Sequence, residues 1–82
     1  MEIIIVGGLG TETRQLENTL AEALRELDLK VSIAVVAGIR GMAAYDVHRM
    51  PALVIDNKVI YDGTIPDVVE LKKKLVELTK HG

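Results

Sequence analysis

The chain begins with a short and nearly continuous run of apolar residues. Residues 2–6 read Glu-Ile-Ile-Ile-Val, and the glycines at positions 7, 8 and 10 follow at once. A continuous apolar run, rather than an alternating one, is typical of a strand that is covered on both faces. The pattern therefore predicts a buried first strand that ends in a glycine-rich turn.

The segment after this turn has the periodicity of an amphipathic helix. Its apolar residues recur at intervals of three and four over about residues 12 to 28, which places them on one helix face. They are Leu16, Leu20, Ala23, Leu24 and Leu27. We expect Thr11 or Thr13 to cap the helix by accepting a backbone N–H bond. Glu12 suits the positive end of the helix dipole.

A second strand and a weaker helix are predicted next. Residues 31–36 read Val-Ser-Ile-Ala-Val-Val, which is a strand composition. A strand, a helix and a strand of these lengths form a right-handed unit, so the two strands should be parallel. Residues 39–47 fit a short helix, although Gly38 and Gly41 lower its helix propensity.

The second half of the chain contains a predicted hairpin. Met50-Pro51 punctuates the chain, and two apolar runs follow at residues 52–55 and 59–61. The residues between them are Asp56-Asn57-Lys58, and Asp and Asn tolerate the positive φ that a tight hairpin turn demands. We therefore predict two antiparallel strands here.

A last amphipathic helix is predicted after the turn at Asp62-Gly63. Asp67, with Glu70 three residues later, resembles a capping box in which Asp replaces Ser or Thr. The apolar stripe then continues to about Lys80 and includes Leu71, Leu75 and Leu78. The predicted order of elements is β-α-β-α-β-β-α.

Composition excludes several classes of function. The 82 residues suffice for one compact domain, and none of them is Cys, so thiol redox chemistry and zinc–thiolate sites are excluded. A net charge of −2 and only two tyrosines as aromatic residues argue against a nucleic-acid partner. Of the two histidines, His81 is near the end of the chain, so we expect no metal site and no cofactor. The acidic start and the short apolar runs predict a cytoplasmic protein with no membrane partner.

The order of elements, with a proline opening the third strand, resembles the minimal thioredoxin or glutaredoxin fold. More narrowly, the chain is similar to the small archaeal and bacterial thioredoxin-like proteins. The residues that carry the resemblance are Ile3-Ile4-Ile5-Val6-Gly7, Gln15-Leu16-Glu17, Met50-Pro51-Ala52-Leu53-Val54-Ile55-Asp56 and Gly63. It implies an α/β fold in one domain over residues 1–82, with a four-stranded mixed sheet in the order 2-1-3-4 flanked by helices. It also implies that the bond before Pro51 is cis and faces the active site.

The chain departs from that family where its activity resides. The family has Cys-x-x-Cys at the loop that opens the first helix, and the matching residues here are Gly10-Thr11-Glu12-Thr13. Because a thiolate is the nucleophile of thiol–disulfide exchange, neither Gly10 nor Thr13 can perform it. We therefore expect no catalytic residue at these positions. An engineered loss of the cysteines is compatible with the sequence, as is a natural one.

Other chemistries find weaker support in the same segment. Gly8-x-Gly10-x-x-Thr13 lacks the third glycine of a dinucleotide-binding turn, and no acidic residue closes the second strand. An anion at the start of the helix would compete with the carboxylate of Glu12. His48 is a candidate general base and Arg49 a candidate partner of Glu12, but only Asp46 offers itself as an acid to orient His48.

The first functional hypothesis is a redox-inactive binding or scaffold domain. The resemblance implies a groove beside the proline that accepts an extended peptide or another protein through backbone hydrogen bonds. The candidate groove residues are Leu9, Gly10, Thr11, Glu12, Thr13, His48, Arg49, Met50, Pro51 and Gly63. Two alternatives remain: a member of a redox pathway that acts through a Cys-bearing partner, and a Cys-independent enzyme that uses Thr11, Thr13 and His48. The sequence does not determine the oligomeric state.

Two further expectations concern the placement of side chains. The predicted core consists of Ile5, Leu16, Leu20, Leu24, Leu27, Val35, Leu53 and Leu75. The turn at residues 8–13, the loop at residues 48–51 and the segment at residues 62–64 should converge, because the predicted strand directions bring them to one end of the sheet.

Overall fold

The computed structural model describes residues 1–8 and 10–80. In chain order its elements are β1 (Ile3–Gly7), α1 (Thr11–Glu26), β2 (Ile33–Ala37), α2 (Gly38–Tyr45), β3 (Ala52–Ile55), β4 (Lys58–Asp62) and α3 (Val68–Lys80). The predicted order of elements is confirmed. In the part of the chain that the structure describes, no helix is long and apolar enough to cross a membrane.

The four strands form one mixed sheet in the order β2-β1-β3-β4. β1 pairs in parallel with β2 and antiparallel with β3, and β3 pairs antiparallel with β4. This is the predicted order. All five residues of β1 are buried, as its continuous apolar run predicts, because β1 has a strand on each side and helices over both faces.

Alternate residues of β1 face two separate apolar layers. Ile3 and Ile5 pack with the buried leucines of α1 and α3, while Ile4 and Val6 pack with residues around α2. The first layer is the larger one, and its fully buried members include Leu16, Leu20, Leu53, Leu71 and Leu75. Lys72 of α3 also donates to Glu26 at the end of α1 over 3.0 Å, which links the two helices on the outside.

Two members of the predicted core are not buried as expected. Val35 is 45% exposed, because β2 lies at the edge of the sheet and has a neighbouring strand only at β1. Leu27 is only partly buried against the first layer. The other six predicted core residues are buried.

The helix termini explain the differences from the predicted boundaries. α1 ends at Glu26 rather than near residue 28, because Asp28 takes a positive φ of 55°. The backbone N–H groups of Asp28 and Leu29 then donate to the carbonyls of Arg25 and Leu24, which is the Schellman arrangement. β2 begins at Ile33, two residues later than predicted.

The predicted threonine cap of α1 is wrong. Gly10 occupies the N-cap position in an extended conformation, and no side chain caps the helix. Thr13, in the first turn, is 7% exposed and packs on Gly7, where an added Cβ would collide with its side chain. Thr13 therefore packs against β1, and its hydroxyl does not cap the helix.

The other two local predictions agree with the structure. Asp56 and Asn57 have φ values of 50° and 66°, so the β3–β4 turn uses the two residue types that tolerate this conformation. At α3, Asp67 Oδ1 accepts the backbone N–H of Glu70 over 2.8 Å. Only this half of the capping box forms among the described residues.

Candidate functional site

The loop at residues 48–51 leads into β3 and is held by the carboxylate of Asp62. Asp62 Oδ1 accepts the backbone N–H of Arg49 over 2.7 Å, and its two oxygens lie 3.2 and 3.1 Å from the backbone nitrogen of His48. Asp62 is the last residue of β4, which ends beside the start of the antiparallel β3. The hairpin therefore fixes the loop that precedes it.

Gly63 adds a second attachment directly after Asp62. Its N–H donates to the carbonyl of Pro51 over 3.0 Å, and its φ is 83°. The side chain of Arg49 lies against Gly63, so an added Cβ would come within 2.5 Å of Arg49 Cβ. Both the positive φ and the close approach require glycine at this position. The peptide bond between Met50 and Pro51 is cis.

The hydrogen bonds to Asp62 also determine its ionisation. The backbone N–H groups of Arg49 and His48 stabilise the carboxylate and lower the pKa of Asp62 below its ordinary value of 3.8. The ring nitrogen Nδ1 of His48 lies 3.3 Å from Asp62 Oδ2 and adds to the same effect. His48 is thus paired with Asp62, and the expectation that Asp46 would orient it is wrong.

A cleft of about 310 Å³ lies between the start of α1 and the Met50–Pro51 loop. The residues that line it are Gly8, Gly10, Thr11, Glu12, Thr13, Met50 and Pro51. An added Cβ at Gly8 or Gly10 would meet no atom within 4 Å, so this side of the cleft is open. We call this space the α1–Pro51 cleft.

Met50 offers unpaired backbone groups at this cleft. Met50 is 39% exposed, whereas Pro51 is buried. Neither the N–H nor the C=O of Met50 has a hydrogen-bond partner within residues 1–8 and 10–80. The N–H groups of His48 and Arg49, by contrast, donate to Asp62, and the carbonyl of Pro51 accepts from Gly63. Met50 therefore offers both a backbone donor and a backbone acceptor to an extended ligand at this cleft.

The chemistry of the cleft is that of hydroxyls, one carboxylate and peptide groups. Thr11 and Glu12 are exposed at the first turn of α1, and the chain has no thiol. Thr13, in the same turn, is buried against Gly7. The cleft therefore has groups that can bind a peptide but no nucleophile for disulfide exchange.

The candidate residues fall into three sets. Six of them line the α1–Pro51 cleft: Gly10, Thr11, Glu12, Thr13, Met50 and Pro51. His48 and Arg49 bond to Asp62, Gly63 lies against Arg49, and none of the three lines the cleft. Leu9 and His81 lie outside the described residues. The expected ion pair of Arg49 with Glu12 does not occur among the ion pairs of residues 1–8 and 10–80.

Sequence reasoning missed the role of Asp62, which it treated as part of a turn. Its bonds to His48 and Arg49 span 14 and 13 positions, so no local spacing reveals them. The sequence did contain one hint. Asp62-Gly63 ends the predicted strand that runs antiparallel to the strand after Pro51, so Asp62 should lie near the residues that precede Pro51. Gly8, which lines the cleft, was also missing from the candidate residues.

The comparison with known families decides the assignment. The sequence model of the family described as thioredoxin domain matches residues 1–76. The chain belongs to the thioredoxin domain family. Neither the curated proteins nor the solved structures gave a significant match. In this thioredoxin domain the start of α1 reads Gly10-Thr11-Glu12-Thr13, and the chain contains no cysteine.

Proposed function

We propose that this thioredoxin domain is a redox-inactive binding domain that holds an extended segment of a partner protein in the α1–Pro51 cleft. The observation that carries the proposal is the unpaired backbone of Met50 at an open cleft without a thiol. An extended segment gains most of its affinity from backbone hydrogen bonds to such groups, and this mode of binding needs no cysteine.

Rigidity of the loop supports the same function. Asp62 and Gly63 hold the residues on either side of Met50 through hydrogen bonds of 2.7 and 3.0 Å. A loop that is already fixed loses little conformational freedom when a ligand binds, so more of the interaction energy appears as affinity. The glycines at positions 8 and 10 leave room for the backbone of the ligand to approach.

The experiment is a selection from a random-peptide library that lacks cysteine. Enriched peptides are then titrated into ¹⁵N-labelled protein, and we expect the amide signals of Gly10–Thr13 and Met50 to shift. Gly10→Leu should abolish binding because it fills the open side of the cleft. Gln15→Leu is the matched control, since it adds the same side chain at an exposed position of the same helix outside the cleft.

Two results would contradict the proposal. The first is an enriched peptide that binds Gly10→Leu as well as the unchanged protein. The second is reduction of insulin disulfides by the protein with dithiothreitol at a rate above dithiothreitol alone, because that activity would show redox chemistry in a protein without thiols.

A further inference from the structure

The two edges of the sheet are protected to very different degrees. The β4 edge carries Lys58 at its start and Asp62 at its end, and its pairing with β3 is irregular between Leu53 and Val54. Charged residues and irregular pairing are the usual devices that keep an edge strand from pairing with another chain. The β2 edge, Ile33–Ala37, has the sequence Ile-Ala-Val-Val-Ala, with no charge and no proline.

Exposed apolar side chains accompany this unprotected edge. Val35, at the centre of β2, is 45% exposed, and Ala34 and Ala37 are exposed as well. Ile39, two residues after the strand, is 82% exposed. An edge strand of this kind is a template on which an extended chain can add as a further strand.

The charged residues near the β2 edge are mostly positive, although the chain as a whole is negative. The chain as a whole has a net charge of −2, yet residues 29–45 contain Lys30 and Arg40 and no carboxylate. Arg25 lies beside the same edge, in a groove of about 440 Å³ that Lys30 and Ile33 also line. Within residues 1–8 and 10–80, none of these three cations forms an ion pair. The β2 edge is therefore apolar at its centre, with Lys30 three residues before it and Arg40 three residues after it, between the carboxylates of Asp28 and Asp46.

We propose that the β2 edge binds an extended segment of a partner protein whose apolar residues are flanked by acidic residues. This site lies apart from the α1–Pro51 cleft, with which it shares no lining residue. The cations lie before and after the strand, so acidic residues at the two ends of the ligand meet Lys30 and Arg40 in either strand direction. Backbone hydrogen bonds supply the pairing, and charge selects the partner.

Charge also argues against a second copy of this chain as the occupant. An antiparallel pair of β2 strands centred on Val35 aligns Ile33 of one copy with Ala37 of the other, so the segment before β2 in one copy lies at the same end of the pair as the start of α2 in the other. That arrangement brings Lys30 of one copy and Arg40 of the other to the same end, and like charges across an interface are unfavourable. An acid-flanked segment turns both repulsions into attractions.

The test uses two synthetic peptides of the same length. One is Glu-Glu-Val-Thr-Val-Thr-Val-Glu-Glu, and the other has Lys in place of every Glu. In NMR titrations of the full chain, the acidic peptide should shift the amide signals of Ile33–Ala37. It should bind about tenfold more tightly than the basic peptide, which is the size that exposed ion pairs at the two ends supply. N-methylation of alternate residues in the acidic peptide should remove binding, because it blocks the strand hydrogen bonds.

Charge-reversal variants provide the specificity control. The double variant Lys30→Glu/Arg40→Glu should bind the basic peptide in preference to the acidic one. Lys58→Glu, on the other edge of the sheet, should leave the original preference unchanged. Circular dichroism and thermal melting of each variant check that it is folded, and both substituted sites and the control site are exposed.

Three results would overturn the proposal. One is the absence of shifts in β2, and another is a set of shifts confined to the α1–Pro51 cleft. The third is sedimentation of the free protein as a dimer that Val35→Lys dissociates, which would make a second copy the occupant. Failure of the cleft to bind peptides in the library selection has no bearing on these outcomes, so the two proposals are tested separately.

Discussion

Asp62 Oδ1 accepts a 2.7 Å hydrogen bond from the backbone N–H of Arg49, although the two residues are 13 positions apart. This bond joins the end of the last strand to the loop before β3. The next residue, Met50, lines the cleft, and its N–H and C=O have no hydrogen-bond partners among the described residues. The Asp62 carboxylate therefore holds the candidate binding loop on one side of Met50, and the bond from the Gly63 N–H to the Pro51 carbonyl holds it on the other.

The first prediction is that Asp62→Asn lowers the free energy of unfolding at neutral pH, and that the difference from the unchanged protein disappears in acid. The folded-state pKa of Asp62 lies below its ordinary value of 3.8, so its contribution to stability is full above that value. It decreases as the pH falls through the folded-state pKa. Denaturation by urea at several pH values measures the difference between the two proteins. Asp46→Asn is the control, because Asp46 accepts no hydrogen bond from this loop.

The second prediction concerns Tyr61, whose burial, together with a hydrogen bond to Glu70, raises its pKa to about 12. An unfolded tyrosine loses its proton near its ordinary value of 10.0. Its contribution to stability is therefore present below that value and is lost as the pH rises to about 12. Ultraviolet titration of tyrosinate in a Tyr45→Phe background isolates this group. Glu70→Gln should lower the pKa only in part, since burial is the larger cause.

The third prediction tests the helix register with a matched pair of truncations. Leu20→Ala should cost about 2–5 kcal/mol, because Leu20 is fully buried between α1 and the sheet and its removal leaves a cavity. Ile39→Ala should change the free energy of unfolding by less than about 0.5 kcal/mol, because Ile39 is 82% exposed. Urea denaturation at equal slope measures both changes. Similar costs at the two positions would contradict the packing described for α1.

The sequence alone was enough to predict elements whose cause is local. β1 is recognisable from its continuous apolar run, and the hairpin turn from Asp56 and Asn57, since each pattern acts within a few residues. The order of strands in the sheet was predicted from the family resemblance. Hydrophobic periodicity identifies single strands but does not show which strands are neighbours. Val35 was expected in the core although the same strand order already places β2 at the edge of the sheet, where a side chain has a neighbouring strand on one side only.

The candidate site was less predictable for a related reason. The cleft residues next to Gly10 follow from the position of the family motif, but the Asp62 network joins segments that are distant in sequence. The prediction that Thr13 caps α1 was wrong for the same reason. A tertiary contact with Gly7 competes with the local hydrogen bond that capping needs. Long-range packing, rather than propensity, determines each of these positions.

The fourth prediction is a negative coupling between Gly7 and Thr13. Gly7→Ala should destabilise the protein by about 1–3 kcal/mol, because its Cβ would collide with the buried Thr13 side chain. Thr13→Ala removes two of the colliding atoms, so the double variant should lose less stability than the two single variants together. Gly8→Ala is the control, since it meets no atom within 4 Å. Additive losses in urea denaturation would show that the two side chains do not compete for one space.

The last prediction concerns the family chemistry that the chain lacks. Gly10→Cys/Thr13→Cys should create a pair that oxidises to an intramolecular disulfide, because the resemblance places these positions within bonding reach. The two positions are the N-cap and the first turn of α1, where the helix dipole lowers the pKa of a thiol and favours the reactive thiolate. The oxidised variant should lose its free thiols without dimerising, and the reduced variant should gain insulin reductase activity. Gly10→Cys/Glu17→Cys is the control, because seven helical positions rise about 10 Å, beyond the reach of a disulfide. If the first pair does not oxidise, Gly10-Thr11-Glu12-Thr13 is not the segment that corresponds to the family motif.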